Sequence, residues 1–231
     1  MSGMTAARWI AVCAIVGAAT LTPRVAAGQQ RPAAGRPAPA ERTAVRAFGD
    51  IGVTLFSASD TFDAVLGSSS GVFFGGGVEV VLPQRVFFNV RISRFQKSGE
   101  RVFVLDDDVF PLGIETKIGV TPVEISAGYR FRAGGRTGIV IPYIGGGIGW
   151  HNYSEKSDFA DGSENVTDSF RGYHALGGAE FRLSRLFAIG GEGQWTTVPD
   201  ALGSELGGAS EAFDENDLGG FAFRVRFVVG R

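Results

Sequence analysis

Leu218-Gly219-Gly220-Phe221-Ala222-Phe223-Arg224-Val225-Arg226-Phe227-Val228-Val229-Gly230 reads with a period of two. Gly219, Phe221, Phe223, Val225, Phe227 and Val229 fall on one face, and Gly220, Ala222, Arg224, Arg226 and Val228 on the other. Successive side chains of an extended chain point to opposite sides, so this alternation is a β-strand with two unlike faces. One face is apolar almost without interruption. The other mixes small residues with isolated charges, a composition suited to a narrow, shielded interior.

The same period recurs upstream. About Val45–Phe56 sets Val45, Ala47, Gly49, Ile51, Val53 and Leu55 against Arg46, Phe48, Asp50, Gly52 and Thr54. About Gly71–Leu82 sets Val72, Phe74, Gly76, Val78 and Val80 against Phe73, Gly75, Gly77, Glu79 and Val81. Val86, Phe88, Val90 and Ile92 oppose Phe87, Asn89, Arg91 and Ser93. In about Ile118–Phe131, Val123, Ile125, Ala127 and Tyr129 oppose Glu124, Ser126, Gly128 and Arg130, with Pro122 marking a possible bulge. About Thr137–His151 is ambiguous: Val140, Ile144, Ile148 and Trp150 define one face, but Ile139, Ile141 and Tyr143 compete for it. Two more strands follow at about Gly172–Leu183 and from Phe187 to Trp195, with His174, Glu180 and Arg182, then Glu192 and Gln194, on their polar faces.

These are eight candidate strands of roughly ten residues, the length a tilted strand needs to cross a bilayer. Their connections alternate. Pro83–Arg85, Arg132–Arg136 and Ser184–Arg185 are short; Ser57–Ser70, Ser98–Lys117, Asn152–Phe170 and Val198–Asp217 are long. Arg101–Phe110 within the second long connection has the alternation of a hairpin. Short turns on one rim and long loops on the other is the outer-membrane arrangement, with the short turns in the periplasm. Charge sorts the same way. The four long connections hold 18 of the 24 acidic residues and only three basic ones, Arg101, Lys117 and Lys156. Arg85, Arg132, Arg136, Arg185 and Arg231 all lie on the short-turn side. The expected fold is all-β: an eight-stranded antiparallel up-and-down transmembrane β-barrel in the cell outer membrane.

The N-terminus fits that destination. Arg8 precedes an apolar core, Trp9–Leu21, and Val25-Ala26-Ala27 is a small-residue cleavage site. Residues 1–27 therefore read as a signal peptide, 28–44 as a Pro/Ala-rich periplasmic linker and 45–231 as the barrel. The only cysteine, Cys13, lies in the signal core, so no disulfide or thiolate chemistry is expected of the mature chain.

From Val45 to Arg231 the chain resembles the outer-membrane protein β-barrel domain family, the small barrels of the OmpA-transmembrane and OmpX type. The segments that carry the resemblance are Gly128–Phe131 (GYRF), Ile141–Trp150 (IPYIGGGIGW), Gly177–Leu183 (GGAEFRL) and the final alternating strand. The chain departs from many such barrels at its end. Its last aromatic residue is Phe227, followed by Val-Val-Gly-Arg, where those barrels finish on an aromatic residue read by the assembly machinery.

Parity sends Arg46, Asp50, Glu79, Arg91, Glu124, Arg130, Glu180, Arg182, Glu192, Arg224 and Arg226 into the lumen, six arginines against five acids. A nearly neutral ion-pair network that plugs the lumen is expected, because eight strands enclose little more than side chains. Trp150 and Trp195 belong to an aromatic girdle on the long-loop side. Arg94 points outward there, positioned for a lipopolysaccharide phosphate. Asp106-Asp107-Asp108 and Asp214–Asp217 offer oxygen ligands but read foremost as solvated loop charge. His151-Asn-Tyr and His174-Ala-Leu contain no serine, so no nucleophile–base pair is visible in the chain, and His174 reads as a lumen residue bonded to a carboxylate. The expectation is therefore not an enzyme, with no cofactor, no metal and no nucleic-acid partner. Its partners would be outer-membrane lipid, lipopolysaccharide and the assembly machinery, and it would be a monomer. The leading role is structural or surface interaction, and the alternative is a narrow channel for small polar solutes or ions.

Overall fold

The computed structural model describes residues 42–105, 108–132, 139–157, 166–202 and 209–230. The expected signal peptide, nearly all of the expected linker, Asp106, Asp107, Arg136 and Arg231 lie outside the described residues. Eight strands run in chain order: β1 (Ala44–Phe56), β2 (Ser70–Val81), β3 (Val86–Leu105), β4 (Asp108–Arg130), β5 (Val140–Ser157), β6 (Val166–Arg182), β7 (Phe187–Thr197) and β8 (Gly220–Gly230). Each pairs antiparallel with the next, and β8 returns to β1, closing a barrel. Closure satisfies every strand edge, the condition a sheet must meet to sit in hydrocarbon.

The faces divide as the alternation dictates. On β8, Phe221, Phe223 and Phe227 point outward and are 53–58% exposed, while Arg226 points inward and is 2% exposed. The ambiguous fifth strand resolves the same way. Val140, Ile144, Ile148 and Trp150 face outward, and Ile141 and Tyr143 are buried inside. The outer surface is therefore a continuous band of Phe, Val, Ile and Leu, which only an apolar medium tolerates.

The turns on the short side are tight. Leu82–Arg85 closes with an Arg85 N–H donating to the Leu82 carbonyl at 2.9 Å, and Arg85 adopts φ +68°. After β6, the Leu183 and Ser184 N–H groups both donate to the Phe187 carbonyl at 3.0 Å.

The long side differs from the sequence reading in three respects. First, strand pairing runs through much of Ser98–Lys117 and Asn152–Phe170. β3 and β4 stay paired up to Leu105 and Asp108, as the hairpin expected at Arg101–Phe110 requires. The pairing also fills the rest of Ser98–Lys117 and carries β5 and β6 up to Glu155 and Val166, where only loop was expected. At 20 and 23 residues, β3 and β4 are about twice what a bilayer crossing requires. Above the membrane a ladder needs hydrogen bonds but no apolar face, so outside Arg101–Phe110 the alternation fades while the pairing continues.

Second, Pro122 makes no bulge. The β3–β4 register is the same on both sides of it, with Ile92 opposite Val123 and Phe95 opposite Val120; the register shifts instead between Glu100 and Val102. The proline sits in the strand without an N–H to give.

Third, Ser57–Ser70 contains a helix, α1 (Ser59–Leu66), and the last long loop contains a single turn, α2 (Ala209–Ala212). Gly67 ends α1 in the left-handed conformation at φ +68°, its N–H on the Asp63 carbonyl, as helix C-termini favour. Phe62 and Leu66, one turn apart, are buried. With Ala58, Val198, Ala201 and Leu218 they pack on Phe73, Phe95, Ile118, Val120 and Tyr153 to form an apolar core at the long-loop end of the lumen. Phe62 stacks face to face on Phe56 with ring centroids 4.1 Å apart. The N-terminus of α1 is held by Glu215, whose carboxylate accepts from the Thr61 N–H at 2.8 Å and the Asp60 N–H at 3.3 Å. Near its far end, Lys97 Nζ donates to the Ser68 and Ser70 carbonyls at 3.1 and 3.2 Å. The barrel thus carries a pinned apolar lid.

Candidate functional site

Below the lid the lumen is a lattice of buried charge. Arg46, Arg91, Arg130, Arg224 and Arg226 stand against Asp50, Glu79, Glu124, Glu180 and Glu192, five of each sign, all of them 9% exposed or less. Every strand except β5 supplies at least one of these ten, and β5 supplies Tyr143.

The half nearer the short turns is built on Glu79 and Glu180. Arg46 donates through Nη1 to both Glu180 oxygens, at 2.8 and 3.0 Å, and through Nη2 to Glu79. Arg130 reaches the same two acids, with Nη2 2.8 Å from Glu180 Oε2 and Nη1 3.3 Å from Glu79 Oε1. Arg226 links this half to the next. Its Nη2 lies 3.6 Å from Glu79 Oε2, and its Nη1 donates to Glu192 Oε2 at 3.1 Å.

The second half converges on Glu192. Arg91 Nη2 lies 2.8 Å from its Oε1, Arg224 Nε 3.6 Å from the same oxygen, and the Tyr143 hydroxyl donates to Oε2 at 2.9 Å. Arg91 also meets Asp50 at 3.1 Å and Glu124 at 3.8 Å. Gln194 joins the pieces: its carbonyl oxygen accepts from Arg91 Nη1 and Arg224 Nη2, and its amide donates to Glu124 Oε1 at 2.6 Å. The guanidinium planes rest on rings, Arg226 over Phe48 at 4.1 Å and Arg224 over Phe73 at 5.0 Å, a favourable seat for a cation. Room for the Phe48 ring comes from Gly77, where a Cβ would sit 2.8 Å from Phe48 Cζ and 2.0 Å from the Val90 carbonyl oxygen.

Ten charges in so dry a space can persist only because each faces opposite charge. Removing one partner of a buried pair leaves the other uncompensated, and that costs far more than the pair contributes.

Arg182 departs from the expected set. It keeps inward parity but is the last residue of β6, solvent-exposed, and it lines the mouth at the short-turn end. Its exclusion is what brings the buried lattice to equal numbers of each sign. Arg42, Arg46, Arg130, Arg182, Arg185 and Glu180 border that mouth, which opens into a cavity of about 1310 Å³.

Trp150 and Trp195 face outward, 38% and 46% exposed. Arg94 is outward and exposed, and its Nη1 donates to Thr121 Oγ1 at 2.7 Å. Among the acidic loop residues, Asp217 has a local task. It accepts from the Val198 and Gly219 N–H groups at 2.7 and 2.6 Å and from the Thr197 hydroxyl at 2.7 Å. No group of three or more His, Cys, Asp or Glu side chains among the described residues could hold a metal.

His174 does not bond first to a carboxylate. Its Nε2 lies 2.8 Å from Ser126 Oγ, and its Nδ1 is 3.7 Å from Glu124 Oε1. The two residues are 48 apart in the chain and meet because Gly147 lies between them in register, opposite Ser126 on one side and His174 on the other. A Cβ on Gly147 would stand 1.9 Å from the Ile125 carbonyl oxygen and 2.8 Å from Ser126 Cα. The signal existed in the sequence as an inward-facing glycine, but only the register says which side chains it brings together. Ser126 is 1% exposed, so its hydroxyl is buried inside the barrel.

The family model for the outer membrane protein beta-barrel domain matches residues 50–220. Among solved structures, the N-terminal β-barrel domain of Pseudomonas aeruginosa OprF is similar at 11% identity, over 80% of this chain and 96% of that one, with a TM-score of 0.45. Neisserial surface protein A is similar at 12% identity over 81% and 96%, with a TM-score of 0.46. Ail, the attachment invasion locus protein of Yersinia pestis, is similar at 13% identity over 82% and 96%, with a TM-score of 0.41. No curated protein matches the chain in sequence. The family match covers most of the closed barrel and its outward apolar band, and the chain belongs to the outer membrane protein beta-barrel domain family, a protein of the outer membrane.

Proposed function

We propose that this barrel serves a structural and surface-interaction role and that side chains close its lumen. The observation that carries the reading is the balanced lattice of five arginines and five acids spanning the interior, roofed by the apolar core around α1. An open water path would have to break two different kinds of contact. Planar-bilayer recordings on the purified protein test it. The expected record lacks large, stable conductance steps, and such steps would overturn the reading.

The second reading is a narrow channel for small polar solutes or ions. The open mouth at the short-turn end, with a cavity of about 1310 Å³, favours it. A chemical role is the weakest reading. Ser126, His174 and Glu124 adjoin one another, but neither Ser126 nor His174 borders the mouth cavity. Unchanged lipid A masses after expression are the expected result.

Under this reading residues 1–27 are removed on export, residues 28–44 form a periplasmic linker, and the monomer is inserted by the assembly machinery with its acidic loops outward. N-terminal sequencing of the membrane form should begin at Gly28. Arg94 pairs with a lipopolysaccharide phosphate at the outer girdle. Arg94→Ala should then lower stability in lipopolysaccharide but not in plain detergent.

A further inference from the structure

Between the lid and the charged lattice lies a cavity of about 70 Å³. Its walls include Phe56, Phe73 and Phe95, and its polar lining includes Ser93, His151 and Arg224. Among the described residues, Ser93 Oγ, His151 Nδ1 and Arg224 Nη1 have no hydrogen-bond partner, although the three side chains are only 5–6% exposed. Buried polar atoms in native proteins are paired with protein or with something bound, so three unpaired groups on one cavity point to an occupant.

Several of the other polar groups around the cavity are engaged, and Thr196 Oγ1 accepts from the Gln194 amide at 3.0 Å. Arg224 Nη2 donates to Gln194 at 3.0 Å. Arg224 Nε faces Glu192 at 3.6 Å. Glu124, which also borders the cavity, accepts from Gln194 at 2.6 Å and faces Arg91 at 3.8 Å. What remains open is a guanidinium N–H that can only donate, with an imidazole nitrogen and a hydroxyl that can each donate beside it, next to three aromatic rings. That set matches a ligand with an acceptor head and an apolar body.

We infer that this cavity binds a short-chain monocarboxylate. The carboxylate accepts from Arg224 Nη1, His151 and Ser93, and the hydrocarbon tail lies among Phe56, Phe73 and Phe95. A water needs about 10–15 Å³ of such volume, so the cavity holds a few heavy atoms and limits the tail to a few carbons. Phe62 of α1 stacks on Phe56, so the lid is the outer side of the same wall, and the ligand reaches the cavity by displacing it. The inference stands whether or not the lumen conducts.

The test is calorimetry of the full barrel in nanodiscs with butyrate, with n-butylammonium and 1-butanol as size-matched controls. Butyrate should bind at least tenfold more tightly than either control. Transferred nuclear Overhauser effects should connect its methyl group to aromatic protons. Arg224→Gln should weaken butyrate at least tenfold. Arg224 also belongs to the lattice, so Ala222→Leu, which fills the cavity from its wall, provides an independent variant. It should abolish binding while the heat-dependent gel shift of the folded barrel is retained. Absence of butyrate binding, equal binding of n-butylammonium, or unaltered binding in folded Ala222→Leu protein would each overturn the inference, leaving the cavity to ordered water.

Discussion

At the long-loop end of the lumen, Phe62, Leu66, Val198 and Leu218 close over Phe73 and Phe95 in an apolar cluster. At the short-turn end, Arg42, Arg182 and Arg185 stand exposed around an open mouth. Between them, ten charges among the described residues are buried in equal numbers of each sign. The difference is one of water. Where water is admitted, an arginine is solvated and needs no carboxylate. Where it is excluded, each charge must face its opposite, or apolar side chains must fill the space instead. Position along the barrel axis, not residue type, decides which rule a lumen side chain obeys.

The largest effect should come from the middle. Glu79 is 1% exposed and faces Arg46, Arg130 and Arg226. Glu79→Ala leaves three guanidiniums without that counter-charge and should destabilise the barrel by about 3–5 kcal/mol. Urea unfolding in lipid vesicles, followed by gel mobility, measures it. A loss below about 1 kcal/mol would mean that water enters the lattice, and the contrast with the mouth would collapse.

The lid should respond locally. Phe62→Ala removes a buried ring, a change that costs about 3–5 kcal/mol in a core. Because α1 is attached to the barrel rather than part of its ladder, the loss should appear as faster amide exchange over residues 59–66, with β7 and β8 protected as before. Uniform loss of protection across the barrel would show instead that the lid and the wall unfold as one unit. Glu215→Ala, which deletes the carboxylate on the α1 N-terminus, should do the same more weakly, by about 0.5–2 kcal/mol.

Most of the barrel was legible in the sequence because a two-sided strand must alternate when lipid lies on one side. Lumen charges such as Asp50 and Glu192 could be assigned from parity alone. Three features were not legible, each for a physical reason. Outside the Arg101–Phe110 hairpin, the upper parts of β3 to β6 pair without a regular alternation of apolar and polar residues. The helix α1 is short, and Phe62 and Leu66 are its only fully apolar turn-spaced pair in burial; Gly67 at its end was the available cue. The contact between Ser126 and His174 depends on register across Gly147, which no single strand records. Arg182 failed for a fourth reason: parity gives the face of a strand but not the depth at which the lumen becomes wet.

That last distinction gives the smallest and most exacting expected effect. Arg182 and Arg130 both point inward at the short-turn end, both border the mouth, and parity places both in the same network. Arg130 is 4% exposed and lies between Glu79 and Glu180. Arg182, one position short of the turn, is exposed to solvent. Arg182→Ala should change stability by no more than about 0.5 kcal/mol, as for a surface site away from special contacts, whereas Arg130→Ala should approach the cost of Glu79→Ala. The same urea titration checks both. If Arg182→Ala proves as costly as Arg130→Ala, Arg182 shares the lattice, the five-to-five balance is broken, and the boundary between the dry interior and the mouth lies lower on the barrel than the exposure of Arg182 implies.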